Sequence, residues 1–205
     1  MKKWDSFYPD VLPSVMGCPD PVMNQALLRA SQEFFRRTHV WTLWLDTIRT
    51  AGLAEYDIPL ENNTEMVKLQ RATLQGRQIP VTTPEALPAD WQTSPSGLRS
   101  CIFTRDRKVL TLLPITSTAE LLRIEASLQP SNSAIGIPDE FFDLYVEAIA
   151  HGAKARIQRL PNTVFYNPQY AMDCEEMFKQ AIGTVAIQQY RAFSSAAPRQ
   201  KIKTF

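Results

Sequence analysis

Glycine is scarce in this chain, at 7 of 205 residues. Loops that cradle phosphate need glycine where the backbone must approach the ligand, and neither a GxGxxG fingerprint nor a Walker-type loop is present. A GxSxG elbow is missing too. Histidine occurs twice, as His39 and His151, and there is no HExxH pair, so a metal or acid–base role would depend on partners brought from far along the chain. The three cysteines, Cys18, Cys101 and Cys174, are widely spaced and odd in number. That excludes a disulfide framework and leaves reduced thiols as the expectation. Charge of one sign is not in excess either. The formal net charge is +1, whereas a protein that grips duplex DNA through its phosphates carries a clear basic surplus. No apolar run approaches the roughly 20 residues of a spanning helix, and the opening Met1-Lys2-Lys3-Trp4-Asp5 has no signal-peptide core. Synthesis in a cytoplasm and no membrane partner are therefore expected.

Proline is abundant, at 15 residues, and it marks where helices begin. Asp20-Pro21 and Asn167-Pro168 each set a capping side chain before a proline suited to the first turn. Pro138-Asp139-Glu140 adds two acids where the helix dipole favours them. The spacing predicts three helices. The first runs over 20–38 with a stripe of Met23, Leu27, Ala30 and Phe34. The second runs over 138–160, with Phe142, Tyr145, Ile149, Ala153 and Ile157 inward. The third runs over 168–191, with Tyr170, Cys174, Met177, Ala181 and Val185 inward and Phe178 and Ile182 beside them. Full burial of Phe142 would make its replacement by alanine cost about 3–5 kcal/mol.

Between the helices the period changes. Residues 54–60 alternate. Met66 to Leu74 reads as a strand turned back by Gln75-Gly76-Arg77 through Ile79 and Val81. Ser94 to Gly97 marks a turn. Leu98 to Phe103 and Val109 to Leu113 flank a hairpin tip at Arg105-Asp106-Arg107, and Leu122, Ile124, Ala126 and Leu128 alternate cleanly. Short strands separated by turns predict a small antiparallel sandwich or barrel-like domain. The fold class is thus α+β, with residues 1–39 and 131–193 forming a helical bundle, 40–130 an inserted β domain, and 194–205 a flexible tail.

Reactive residue types have plainer readings. Cys174 lies on an apolar stripe and packs as a small hydrophobe. His151 has Glu147 one turn back, a simple helix pair. Trp41 and Trp44 could stack bases, but at a helix-to-sheet exit aromatics fill the seam between subdomains. Arg36-Arg37 and Lys201/Lys203 are few enough to be a solvated face or a protein contact. The chain is expected to have no catalytic residues, cofactor or metal, and not to be an enzyme.

Taken together, Leu12-Pro13, Gly17-Cys18-Pro19, Ala26 to Ala30, Glu33 to Thr38 and Val40-Trp41 resemble the opening of head-to-tail adaptors of podovirus-type tailed phages, the gatekeeper or tail tubular protein A-like family. Ile137-Pro138-Asp139, Tyr145 through Glu147 to Arg156, Leu160-Pro161 and Asn167-Pro168 resemble their closing helices. The resemblance covers a little under half the chain. Asn162 and Phe165 stand where that pattern has Gly and Trp. The resemblance implies a virion protein of the phage neck or tail that assembles with itself as a ring of twelve copies. It implies docking on the portal protein, contact with a downstream tail or nozzle protein and with tail fibres, and passage of genomic DNA through the lumen without specific binding. Other neck connectors and tail-completion proteins are the homologous alternative. A nucleic-acid-binding module or a small hydrolase would be readings from other classes.

Two sets of contact residues follow. The second helix is apolar round much of its circumference, and such a helix needs more than one packing partner, so Phe141, Leu144 and Ala148 are candidates for contact with a neighbouring subunit. In the tail, Ile202 and Phe205 sit among Arg199, Lys201 and Lys203, a pattern suited to docking on the portal.

Overall fold

The computed structural model describes residues 1–50, 52–87, 100–116 and 118–191. The expected turn at 94–97 and the tail at 194–205 lie outside the described residues. The elements are β1 (Lys2–Lys3), α1 (Tyr8–Val11), α2 (Asp20–Thr38), β2 (Thr42–Trp44), β3 (Ile48–Arg49), β4 (Glu55–Asp57), β5 (Thr64–Leu74), β6 (Arg77–Ile79), β7 (Cys101–Thr104), β8 (Val109–Leu113), β9 (Leu121–Pro130), β10 (Gly136–Ile137), α3 (Asp139–Ile157) and α4 (Pro168–Tyr190). The chain divides into two compact units. One is Met1–Val40 together with the chain from Gly136 on, and the other is Trp41–Ile135.

The first unit is helical. Along α2, Met23, Leu27, Ala30 and Phe34 are all completely buried, as the three- and four-residue spacing demands. Phe34 meets Tyr145 of α3 at 5.0 Å and Phe178 of α4 at 6.4 Å between ring centroids, so one side chain packs against both other long helices. Gly152 lets them approach: a β-carbon there would come within 2.9 Å of the Phe178 ring and 3.0 Å of the Ala30 methyl. The α4 stripe is Ala171, Cys174, Phe178, Ile182 and Val185. Tyr170 and Met177, expected inward, are exposed, so the stripe is rotated from the expected one. Phe142 is likewise only half-buried, touching the Phe7 edge at 4.8 Å.

The helix ends differ in chemistry. Asn167 caps α4 by accepting a hydrogen bond from the Tyr170 amide at 3.1 Å. Asp20 does not cap α2. It is the first helical residue, and the residue before it is Pro19, which has no side-chain acceptor. α2 stops where His39 enters the left-handed region, φ 53°, its amide donating to the Phe35 carbonyl at 2.9 Å. Asn162, in the α3–α4 connection, has φ 61°. That is a conformation glycine prefers and asparagine tolerates, so Asn can stand where the resemblance has Gly.

The N-terminal segment, to which the sequence reading assigned no element, is part of this core. Trp4, Phe7, Val11 and Val15 are buried. β1 pairs antiparallel with β10, Lys3 opposite Gly136. Gly136 is obligatory there, because a β-carbon would stand 1.8 Å from the Lys2 carbonyl oxygen. The N-terminal ammonium reaches Asp139 at 2.7 Å, and Gln158 donates to the Ser14 carbonyl at 3.0 Å.

The second unit holds antiparallel sheets. A five-stranded sheet runs β2-β9-β5-β6 with β3 also on β9, and a three-stranded sheet runs β4-β8-β7. Leu122, Ile124, Ala126 and Leu128 are all buried, as their alternation predicts. Opposite them Met66, Leu69, Ala72 and Leu74 are buried at uneven spacing. Register shifts between Met66 and Lys68 and between Leu69 and Arg71 insert an extra residue each time, which returns the apolar residues to one face. Gln75 and Gly76 turn β5 into β6 with φ of 49° and 74°. At the β7–β8 tip, Asp106 accepts from the Lys108 and Val109 amides, both at 2.9 Å. The fold is α+β. Among the described residues the sheets do not close into a barrel, which removes that alternative.

Phe34→Ala should cost about 3–5 kcal/mol by chemical denaturation, because the ring is fully buried among aromatics. Phe142→Ala should cost clearly less, since half-burial leaves a smaller cavity. Equal losses would show that the Phe34 contacts do not hold the bundle.

Candidate assembly surface

The face of α3 turned away from the bundle carries Glu140, Asp143, Leu144 and Glu147, which fall on one side at three- and four-residue spacing. All four are exposed, and Leu144 is exposed to 70%. Among the described residues nothing covers this leucine, which stands among three carboxylates. Among the described residues none of these three acids takes part in an ion pair, unlike Asp139. The three candidates for subunit contact therefore divide. Phe141 is buried in its own core against Phe35, centroids 5.3 Å apart, and Tyr145. Ala148 is half-buried. Only Leu144 is presented outward. Arg199, Lys201, Ile202, Lys203 and Phe205 lie outside the described residues.

Along the other side of the bundle, an apolar groove of about 610 Å³ is lined by Pro21, Val22, Gln25, Ala26, Arg29, Arg156, Ile157 and Leu160. Sequence reasoning missed it, because the groove is made by two helices together and neither helix alone marks it. Arg156 is tied down by Glu33 and by the Gly152 carbonyl. Glu33 also pairs with Arg37 at 3.2 Å. Arg29 is exposed and makes no ion pair among the described residues. Nearby, Arg159 and Lys179 both hold Glu175, and these hydrogen bonds keep its carboxyl below the usual range. On α4, Met172, Met177, Ile187 and Tyr190 are also exposed.

The reactive residue types sit as packing groups. Cys18, Cys101 and Cys174 are free and buried, and burial pushes each thiol up from its ordinary value, away from the reactive thiolate. Among the described residues no three His, Cys, Asp or Glu side chains converge as a metal site would require. Trp41 is buried and Trp44 is exposed, with the Arg123 guanidinium 5.6 Å from the Trp44 ring centre. A cation already occupies the ring a base would stack on. No helix among the described residues is long and apolar enough to cross a membrane.

A family model described as SU10 adaptor protein matches residues 9–200, nearly the whole chain. No curated protein matches it.

The His151 imidazole is shifted by its surroundings. Burial pushes its imidazole below the ordinary value, Lys154 adds to this and Glu147 opposes it. Its Nδ1 is buried and has no hydrogen-bond partner among the described residues. A lowered folded value means that the unfolded chain takes up the proton first, so stability is intact above the ordinary imidazole range and falls as pH drops through it. Melting temperature should fall between about pH 7 and pH 5, and His151→Gln should flatten that decline. An unchanged slope in the variant would assign the decline to other groups.

Proposed function

The chain belongs to the SU10 adaptor protein family of phage head-to-tail adaptors, and from that premise we propose that it is one subunit of a ring in the virion neck. The observation that carries this reading is the extent of the match, which takes in both helical ends and the β segment between them. The ring has twelve copies, docks on the portal protein on one side, and receives the downstream tail or nozzle protein on the other, with tail fibres as a further contact. Genomic DNA passes through its lumen. The net charge of +1 suits a channel that lets DNA slide, because few counterions would be released on contact.

The division of labour follows the two units. The helical unit, with its bare Leu144 and apolar groove, supplies contacts between neighbours, and Phe141 and Ala148 support that face from behind. The two sheets of the other unit pack as layers of a sandwich, and the three-stranded sheet is buried on both faces, with Ile102 and Leu112 on one and Cys101, Phe103 and Leu113 on the other. The tail residues Arg199, Lys201, Ile202, Lys203 and Phe205 settle on the portal, two apolar anchors among cations. No step of this function is chemical. The subunit turns over no substrate and needs no cofactor.

Electron microscopy of the purified chain mixed with its portal protein should show rings stacked on the portal, with twelvefold symmetry in class averages. A chain that stays monomeric and unbound in that mixture would overturn the reading. Deleting residues 198–205 should leave the melting temperature unchanged and weaken attachment to the portal by about tenfold or more. Equal attachment of the truncated chain would remove the tail from the docking surface.

A further inference from the structure

Leu144 and the apolar groove are two halves of one contact. On α3, Ile157 in the groove lies about 140° round the helix from Leu144, at 3.6 residues per turn. A subunit therefore cannot fill its own groove with its own Leu144, and among the described residues nothing covers either feature. Their charges are opposite. Leu144 stands among Glu140, Asp143 and Glu147, exposed and without ion pairs among the described residues. The groove is flanked by Arg29 and Arg156, of which Arg29 makes no ion pair there. Its walls of Pro21, Val22, Ala26, Ile157 and Leu160 are apolar, and about 610 Å³ is more than one leucine needs. The methylene stems of Glu140 and Glu147 can enter with it while their carboxylates stay at the rim.

We propose that the occupant of the groove is Leu144 of a second copy of this chain, with Arg29 at the rim pairing to the acids of the incoming α3. The inference rests on the ring reading given above and names the surfaces that close the ring. Plug and socket are different patches on opposite sides of α3, so the contact is head-to-tail. A contact of that kind repeats from copy to copy and closes into a ring when the rotation allows, whereas a self-complementary patch stops at a dimer. Exposed Met172 and Met177 on α4, with Asp173 and Glu176 beside them, are not needed for this contact.

The test uses the full chain, alone and mixed with portal protein. Leu144→Cys combined with Val22→Cys, oxidised gently, should give a ladder of covalent multimers, because each copy then carries one plug thiol and one socket thiol. The native thiols are buried, and each single-cysteine variant, whose new thiol faces no second thiol across the contact, should give no cross-link. As a second measurement, Glu147→Arg and Arg29→Glu should each weaken self-association by about tenfold or more, and the double variant should recover most of it. All four positions lie at the surface of the helical unit, and circular dichroism would confirm that each variant folds. A ring on the portal that forms without a ladder, and is indifferent to both charge reversals, would overturn this contact and leave the ring reading standing. Cross-linking of the double-cysteine variant that stops at dimers would overturn the head-to-tail geometry. Wild-type chain that never associates with itself, with or without portal, would overturn both.

Discussion

The helical unit depends on the packing of Phe34. Its ring is in aromatic contact with both α3 and α4, through Tyr145 and Phe178. The absence of a side chain at Gly152 lets those helices close around it. Glycine inside a helix costs about 1 kcal/mol relative to alanine. That cost is tolerable here because the close approach preserves the burial of several aromatic rings, each of which stabilises the unit by more than the glycine costs. The N-terminal segment then closes the unit from another side, with Phe7 against Phe142 and β1 clasped to β10 beside Gly136. That clasp holds the point where the chain re-enters the helical unit after the β segment.

Much of this was legible in the sequence where a single local rule decides. The α2 stripe, the cap at Asn167, the hairpin tip at Asp106 and the alternation of β9 each follow from spacing or from one side chain's hydrogen-bonding capacity. The errors arose where tertiary context decides. Asp20 looked like a cap, but the helix begins one residue early. β5 defeats a strict period of two because two bulges re-phase it. On α4 hydrophobicity does not distinguish Met177 from Ala171, and only the neighbouring helix determines which is covered. In the N-terminal segment Trp4, Phe7, Val11 and Val15 are spaced three and four residues apart and all are buried, but the chain there breaks into several short turns instead of one helix, so its place in the core went unread.

The candidate surface was legible in part, for the same reason. An α3 apolar on many sides pointed to a partner beyond the subunit, but it could not say which apolar residue the subunit itself would cover. The structure makes that division: Phe141 is used inside, Ala148 is shared, and Leu144 is left out. The groove was invisible because it is made by α2 and α3 together, from residues that are ordinary on either helix alone.

A bare leucine and an open apolar groove expose apolar surface in water, and water favours covering both. A chain that kept them only as defects would gain by replacing Leu144 with a polar residue, at no cost to its core. The acids around the leucine and the free arginine beside the groove argue against a defect. They keep the separated chain soluble and oppose plug-to-plug pairing, where like charges would meet, while favouring plug against socket. Near-neutral net charge hides this, because the acids of one face cancel the cations of the other in the sum. For a protein whose family works between other virion parts, that distribution has more consequence than the total. In the proposed ring it directs association towards copies in one orientation.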